Sequence, residues 1–362
     1  MILPCRQCQA LPVLLVLGAV FIISSSTRAA QPPDCAGSPA KYEFRGIEMA
    51  VPIRIVCYAA SEAEARQAAR AAFARIRELN AVFSDYIPDS EVSRLCEAAG
   101  SGEAVPVSDD LWKVLVLSRD LAEKTGGAFD VTIGPLIRLW RRARTLRELP
   151  REYRIRQAQA LVGFDKVRFD ERRQAVELTV PGMKLDFGGI AKGYAIDQAL
   201  ATLRKHGISR ALVDAGGDIG VGDPPPGREE WIVGIAPLNP GEPPGYFVKA
   251  SHCAVATSGD RYQFVMVEGK RYSHIVDPKT GIGLTHHSEV TVIAPNATLA
   301  DALATGVSVL GPAEGLTTAE RFPEVACLVL QGQGDDVAAY PSPRWKQWTA
   351  QGKIVERPRS AE

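Results

Sequence analysis

Lys184-Leu-Asp-Phe-Gly-Gly-Ile-Ala-Lys-Gly-Tyr-Ala-Ile-Asp197 is the stretch on which the reading of this chain turns. It starts as a strand end, breaks at Gly188-Gly189 and runs on in helical rhythm through Ile190, Tyr194, Ala195, Ile196, Ala199, Leu200 and Leu203. A strand end, a glycine turn and a helix start aim backbone N–H groups and the positive end of a helix dipole at one point, a natural anion site. Lys192 adds a full positive charge, and Asp186 stands just before the turn. The spacing is G-G-x-x-x-G rather than the dinucleotide G-x-G-x-x-G, and Tyr194 follows Gly193 where a Walker A loop needs Lys. Two readings stand at this point: a phosphate cradle, or a glycine turn that packs a helix on a strand.

Upstream, a β-rich run over Tyr42–Tyr58 predicts strands, and Ser61 with Glu64 opens a long helix to about Asn80 as a capping box. Ser90–Ala98 reads as a short helix, and Ser108 caps a longer one that stops at Gly126-Gly127. A helix from Pro150 toward Val162 and strands at Lys166–Phe169 and Ala175–Val180 lead into the opening stretch. Downstream come strands at Arg210–Asp214, Trp231–Ala236, Tyr246–Ala250, Ala254–Thr257, Tyr262–Val267, Val290–Ala294 and Leu328–Gln331. His274–Gly281 reads as a turn and Ala300–Leu310 as a helix. Helices and strands mix without strict alternation, which predicts an α+β domain with a largely antiparallel sheet and packed helices.

The chain is 46% hydrophobic and 23% charged, with formal net charge +0. That balance argues against a nucleic-acid partner or a polybasic membrane contact. Leu11–Ile23 is an apolar run too short for a comfortable span, and small residues follow to Ala30, the pattern of an export signal over residues 1–30 or of an uncleaved anchor. The expectation is a periplasmic or cell-envelope protein, with a domain over 40–345 and a frayed tail over 346–362. Of seven cysteines, Cys5 and Cys8 lie in the leader; the other five have no zinc spacing, and Cys57 and Cys327 read as small core residues.

Several polar residues sit where packing does not require them. Asp301 and Thr305 are four apart on a predicted helix and share a face, a hard-oxygen pair suited to Mg²⁺; an Asp serving a helix N-terminus, with Thr305 packed inward, is the plainer alternative. His274 sits in an irregular turn, fit either for a general base or for a backbone-bonded structural role. His286-His287 with Glu289 lacks a third ligand of matching spacing, and Ser258 lacks the G-x-S-x-G elbow of a serine hydrolase.

Taken in order, these clusters resemble the FAD:protein FMN transferase family, the ApbE-type flavin transferases. The resemblance covers Tyr42–Tyr340. Its pieces are Met49, Ser84-Asp-Tyr-Ile-Pro-Asp-Ser-Glu-Val-Ser-Arg-Leu95, Thr125-Gly-Gly-Ala-Phe-Asp-Val-Thr-Ile-Gly-Pro-Leu136 and the opening stretch from Asp186. Asp214-Ala-Gly-Gly-Asp-Ile219, Ala256-Thr-Ser-Gly259, His274-Ile-Val-Asp-Pro-Lys-Thr-Gly281 and Ala300-Asp-Ala-Leu-Ala-Thr305 complete them. The resemblance implies a tunnelling-fold-like α+β domain and Mg²⁺-dependent transfer of FMN from FAD to an acceptor Thr or Ser hydroxyl, with AMP leaving. It implies Mg²⁺ held by Asp301, Thr305 and the Gly189 carbonyl, and His274 as base. It places FAD against Met49, Tyr86, Ala128, Phe129, Asp130, Asp186, Lys192 and Ile275, with Gly188–Gly193 and Lys192 as the pyrophosphate cradle. The implied partner is an acceptor flavoprotein, a membrane electron-transfer subunit facing the periplasm. Two departures are visible: Met49-Ala-Val51 stands where the family shows Met-Gly-Thr, and Phe187 replaces its Leu. No lipobox precedes Cys35, although many relatives are lipoproteins. A metal-dependent FAD pyrophosphatase and a non-catalytic FAD-binding envelope protein remain as alternatives; AMP release and a covalently fluorescent acceptor separate the three.

Overall fold

In the computed structural model, residues 38–235, 237–239, 241, 244–333, 336–345 and 354–355 are described. The expected leader over 1–30 and nearly all of the tail over 346–362 lie outside them. The chain opens with a hairpin of β1 (Ala40–Glu48) and β2 (Val51–Ala59), followed by α1 (Glu62–Phe83) and α2 (Glu91–Glu97). Next come β3 (Val105–Pro106), α3 (Asp109–Lys124), α4 (Gly134–Leu146), α5 (Glu152–Gln159), β4 (Val167–Asp170) and β5 (Ala175–Leu178). The opening stretch leads into α6 (Ala191–Lys205), then β6 (Ala211–Ala215), β7 (Asp218–Val221), β8 (Trp231–Ile235) and β9 (Tyr246–Ala250). The remainder is β10 (Cys253–Gly259), β11 (Phe264–Val267), β12 (Lys270–Ser273), β13 (Ser288–Ala294), α7 (Ala297–Glu320), β14 (Ala326–Gln333), β15 (Asp336–Pro341) and β16 (Ile354–Val355).

Eight strands form one sheet in the order β1-β2-β6-β7-β10-β13-β14-β15, and every neighbouring pair is antiparallel. Helices α1, α6 and α7 pack on one face. Their stripes (Ala65, Ala68, Ala72, Phe73, Ile76 and Leu79 on α1; Ala195, Ile196, Ala199 and Leu203 on α6) join Ile53, Ile55, Val213, Val290 and Val292 of the sheet in one apolar core. The β8–β9 hairpin covers the opposite face with Trp231, Val233 and Val248 over Val56, Leu212 and Leu328. With both faces covered, the central strand β13 is buried at all seven positions. The α+β class and the antiparallel sheet expected from the sequence are what the structure has.

Side-chain caps start the helices as the sequence predicts: Ser61, Ser90 and Ser108 accept the N–H groups of Glu64, Ser93 and Leu111. Two helices differ from expectation. The predicted end at Leu310 is only a break: Gly311 (φ 71°) interrupts α7, which resumes at Pro312 and reaches Glu320. Helix α4 has no counterpart among the predicted elements. It carries Pro135 in its first turn, where proline is tolerated, and buries Leu136, Trp140 and Ala143 against Val265 and Tyr272 of the β11–β12 hairpin. Among the described residues no helix is long and apolar enough to cross a membrane. Cys57, Cys96 and Cys327 are buried free thiols; burial pushes the Cys57 thiol up to about 11, as expected for a core residue.

Candidate active site

The Gly188–Gly193 turn sits where α6 starts against α7, and its glycines explain the fit. A Cβ at Gly193 would lie 2.2 Å from the Ala297 carbonyl oxygen, so only glycine allows the two helices this approach. A Cβ at Gly189 would lie 2.7 Å from Thr305 Oγ1. Both readings of the stretch therefore contribute: the glycines serve close packing, and that packing places α7 side chains over the helix start. The expected anion cradle differs in detail. Gly188 N–H is bonded to Asp186 Oδ1 (2.8 Å) and Gly193 N–H to Asp301 Oδ2 (3.0 Å), so the protein's own carboxylates take two of its donors.

Lys192 is likewise engaged. Its ammonium pairs with Asp218 and with Asp301 Oδ1 (3.2 Å), with 27% of the side chain exposed. Burial alone would lower its pKa, but the two carboxylates outweigh burial and raise it. Burial raises the Asp301 carboxyl, and Asp218 adds to that against the pull of Lys192. At this helix start the Asp301 carboxylate takes the Gly193 N–H and the Thr305 hydroxyl lies against Gly189, so hard oxygens of Asp301, Thr305 and Gly189 share one region. Neither the Thr305 hydroxyl nor the Gly189 carbonyl has a hydrogen-bond partner among the described residues. The set holds one carboxylate rather than a cluster; no three His, Cys, Asp or Glu side chains group as a metal site among the described residues. A neutral hydroxyl, a carbonyl and one carboxylate suit a hard cation that keeps waters and takes the rest of its shell from a bound substrate.

A second cluster lies beside Asp186. Its N–H donates to Val131 O (2.8 Å), which ties the opening stretch to the Ala128–Thr132 segment. Asp186 Oδ2 accepts from Arg141 Nη2 (2.6 Å), and Asp85 takes the same guanidinium from the other side. Arg141 lies under the Tyr86 ring, 4.2 Å from its centroid, and Tyr86 is 72% exposed. The result is an aromatic plane held on a cation with one face open, a surface suited to a flat conjugated ligand. Burial raises the Asp186 carboxyl, against the pull of Arg141. Asp130 closes an Asx turn on Thr132 (N–H 2.8 Å, Oγ1 2.7 Å), and burial raises its carboxyl as well.

Two hairpin tips complete this side. Met49 (φ 51°) and Ala50 (φ 59°) join β1 to β2 through a two-residue turn with both residues left-handed, the type I′ geometry that favours Asn-Gly. Gly216 and Gly217 make the equivalent turn between β6 and β7. The tips touch: Gly216 N–H donates to Pro52 O (3.0 Å), and a Cβ at Gly216 would meet Val51 at 3.1 Å. Asp218 follows that second turn directly, so Met49 is carried toward the Lys192 cluster.

His274 comes immediately after β12. Its main-chain N–H and its Nδ1 both bond to Gln263 O, each at 3.0 Å. A carbonyl only accepts, so Nδ1 carries the proton and Nε2 is left with its lone pair. Burial lowers its pKa, with Arg144 and Lys192 helping and the Gln263 bond and Asp260 opposing, so the ring is neutral at neutral pH. Asp260 itself is 2% exposed and holds Arg271 of β12 and His287 Nδ1 (2.6 Å). Nearby, Glu289 is 5% exposed, its Oε2 has no partner, and its closest cation is Arg261 at 3.7 Å; burial pushes its carboxyl up to about 7.

The structure thus brings Gly189, Lys192, Asp301 and Thr305 together, and ties Asp186 to Tyr86 through Arg141. Lys192 reaches His274 electrostatically. Ala128 and Phe129 are 3% exposed and Ile275 8%, so these three have little side-chain surface to offer a ligand. Phe129 packs in the core rather than forming a stacking plane. Sequence reasoning gave no role to Asp85, Arg141, Asp218 or Asp260. Asp218 lies in Asp214-Ala-Gly-Gly-Asp-Ile219, where its position after Gly216-Gly217 is the available signal; Arg141 joins residues 56 and 45 positions away, which no local pattern displays.

Residues 49–329 match the model of the ApbE family. The chain is 33% identical over 263 residues to the FAD:protein FMN transferase of Haemophilus influenzae, covering 71% of this chain and 76% of that one. To the FAD:protein FMN transferase of Treponema pallidum it is 34% identical over 283 residues, 74% and 78% of the two chains. Among solved structures, the ApbE protein of Thermotoga maritima superposes with TM-score 0.76 at 30% identity, over 88% of this chain and all of that one. The flavin transferase ApbE of Vibrio cholerae gives 0.72 at 27% identity, covering 85% and 99%.

Proposed function

The chain belongs to the ApbE family, and from that premise we infer that it transfers FMN from FAD to a protein, with a Thr or Ser hydroxyl as acceptor and AMP as leaving group. The observation that carries the chemistry is the geometry of His274: Nδ1 is committed to Gln263 O, which leaves Nε2 to take a proton, and burial lowers the ring's pKa. In the step, the acceptor oxygen bonds to the FMN-side phosphorus while the P–O bond to AMP breaks. The hydroxyl proton passes to His274 Nε2, and AMP departs as the phosphate monoester. Asp301, Thr305 and the Gly189 carbonyl hold Mg²⁺ in this reading, and the ion supplies charge neutralisation at the pyrophosphate oxygens. Lys192 keeps the Asp218 and Asp301 carboxylates ordered beside that position. Tyr86, backed by Arg141, offers its open face to the flavin, and Met49 reaches the site from its hairpin tip.

The test is incubation of the purified protein with FAD, MgCl₂ and membranes of the source organism, followed by a denaturing gel read for flavin fluorescence and by an AMP assay. A fluorescent band with matching AMP supports the reading. AMP without a band assigns the protein as a pyrophosphatase, and neither product leaves a flavin-binding protein. Export to the cell envelope and a membrane electron-transfer acceptor are part of the proposal; a band in the membrane fraction alone would agree with both.

A further inference from the structure

The cluster at the end of β10 is not used by the transfer step as written, and its composition is costly. Asp260 is 2% exposed, yet its carboxylate is bonded to Arg271 Nε and to His287 Nδ1 (2.6 Å), while its main-chain carbonyl accepts from Arg271 Nη2 (2.6 Å). Replacing a buried ion pair with packed apolar residues is often neutral or stabilising, so stability alone is a weak reason for one. Its location supplies a stronger reason. Arg271 lies on β12, three residues before His274, and stacks its guanidinium 3.5 Å from the Phe264 centroid on β11. Phe264 follows Gln263, whose carbonyl receives both N–H groups of His274. Asp260 therefore holds β12 directly, braces β11 through the Arg271 guanidinium on Phe264, and ties in the following loop through His287.

We propose that Asp260 is the positioning residue of the base: its buried carboxylate fixes the β11–β12 hairpin through Arg271 and sets a negative charge toward the His274 ring. This rests on His274 being the proton acceptor. Taking the hydroxyl proton makes the ring cationic. The charged groups that act on it are Arg144 from α4, Lys192 from α6 and Asp260 from the end of β10. Asp260 supplies the one negative charge among them, so it stabilises the imidazolium while the others oppose it.

The experiment has an arm that needs no acceptor. The His274 imidazole is titrated by NMR in full-length wild type and Asp260→Asn, with His274→Gln assigning the signal. Transfer to source-organism membranes and FAD quenching are measured in parallel. Asp260→Asn is expected to move the His274 midpoint down by about half a unit or more. It should slow transfer ~10-fold or more, with FAD affinity unchanged. An unmoved midpoint, or a moved midpoint with unchanged transfer, overturns the proposal. Absence of transfer by wild type overturns the proposed function instead, while the NMR arm still reports on Asp260. If Asp260→Asn does not fold, Arg271→Lys decides: it keeps a cation but one hydrogen bond fewer. Slowed transfer at wild-type FAD affinity supports the proposal, and a wild-type rate overturns it.

Discussion

In the proposed transfer, Nε2 of His274 has to be unprotonated, and burial, with Arg144 and Lys192, lowers the ring's pKa against the Gln263 bond and Asp260. A positioned base contributes ~10²–10⁴-fold. His274→Ala is therefore expected to bind FAD as wild type does in a fluorescence titration and to transfer FMN at least ~100-fold more slowly. Because the ring's pKa is lowered, wild-type activity should be level through neutrality and fall only as pH drops through a midpoint below the ordinary 6.5. Parallel loss of binding and rate in the variant would make His274 a binding residue. Glu289 offers a separate titration near neutrality. Its folded-state pKa, about 7, lies above its unfolded value, so the folded protein holds a proton that the unfolded chain has released. Its contribution to stability is then fully present below the unfolded value and is lost as pH rises through about 7. Glu289→Gln should raise the melting temperature at pH 8 relative to wild type and have little effect at pH 5. Equal melting shifts at both pH values would count against an orphaned carboxyl.

At the level of elements, the two helix glycines and the two hairpin tips make contrasting demands. Gly193→Ala places a methyl 2.2 Å from a main-chain oxygen of α7, which cannot turn aside. The expected loss is about 1–3 kcal/mol in urea unfolding, the range for overpacking. A wild-type midpoint would show that α6 and α7 slide apart at little cost. Ala50 is the opposite case, a side chain at a left-handed position where glycine would relax the turn. Ala50→Gly should stabilise by about 0.5–1 kcal/mol, the left-handed penalty less glycine's extra unfolded entropy. A destabilised variant would mean that the methyl has packing of its own. Element prediction succeeded where local chemistry speaks: serine caps start three helices, and the Asp301–Thr305 spacing implied the shared face that now meets Gly189. It missed α4 because Gly134-Pro135 reads as a stop, although Leu136, Trp140 and Ala143 recur at helical spacing behind it. Strand β12 went unseen because Lys270-Arg-Tyr-Ser273 has no apolar alternation; its partner β11 supplies the pairing.

Across the whole molecule, the α+β class was legible from the mixture of periods, but the strand order was not. Strands β7 and β10 are neighbours across an excursion that covers the other face with β8 and β9, and nothing between Pro224 and Gly245 announces where that excursion returns. The same holds for the site: residues within one motif could be named, while Arg141–Asp85 and Lys192–Asp218 depend on the completed sheet and helix layer. Those two contacts share a feature with consequences for the order of events. Each sets a single cation between two carboxylates, Lys192 with Asp218 and Asp301, Arg141 with Asp85 and Asp186. Each therefore holds two carboxylates on one bridging cation, offset at Asp186 in part by Arg138, and a pyrophosphate diester approaching them meets repulsion. If Mg²⁺ is held as proposed, it would arrive with the dinucleotide or ahead of it. FAD affinity in chelator should be at least ~10-fold weaker than in Mg²⁺, a coupling within the usual range for two ligands of one site. Asp301→Asn should narrow that gap, because it removes one of the charges that the cation answers. A dinucleotide affinity indifferent to the metal would mean that both clusters are silent when the substrate enters, and that its phosphates travel a path on which neither carboxylate pair is felt.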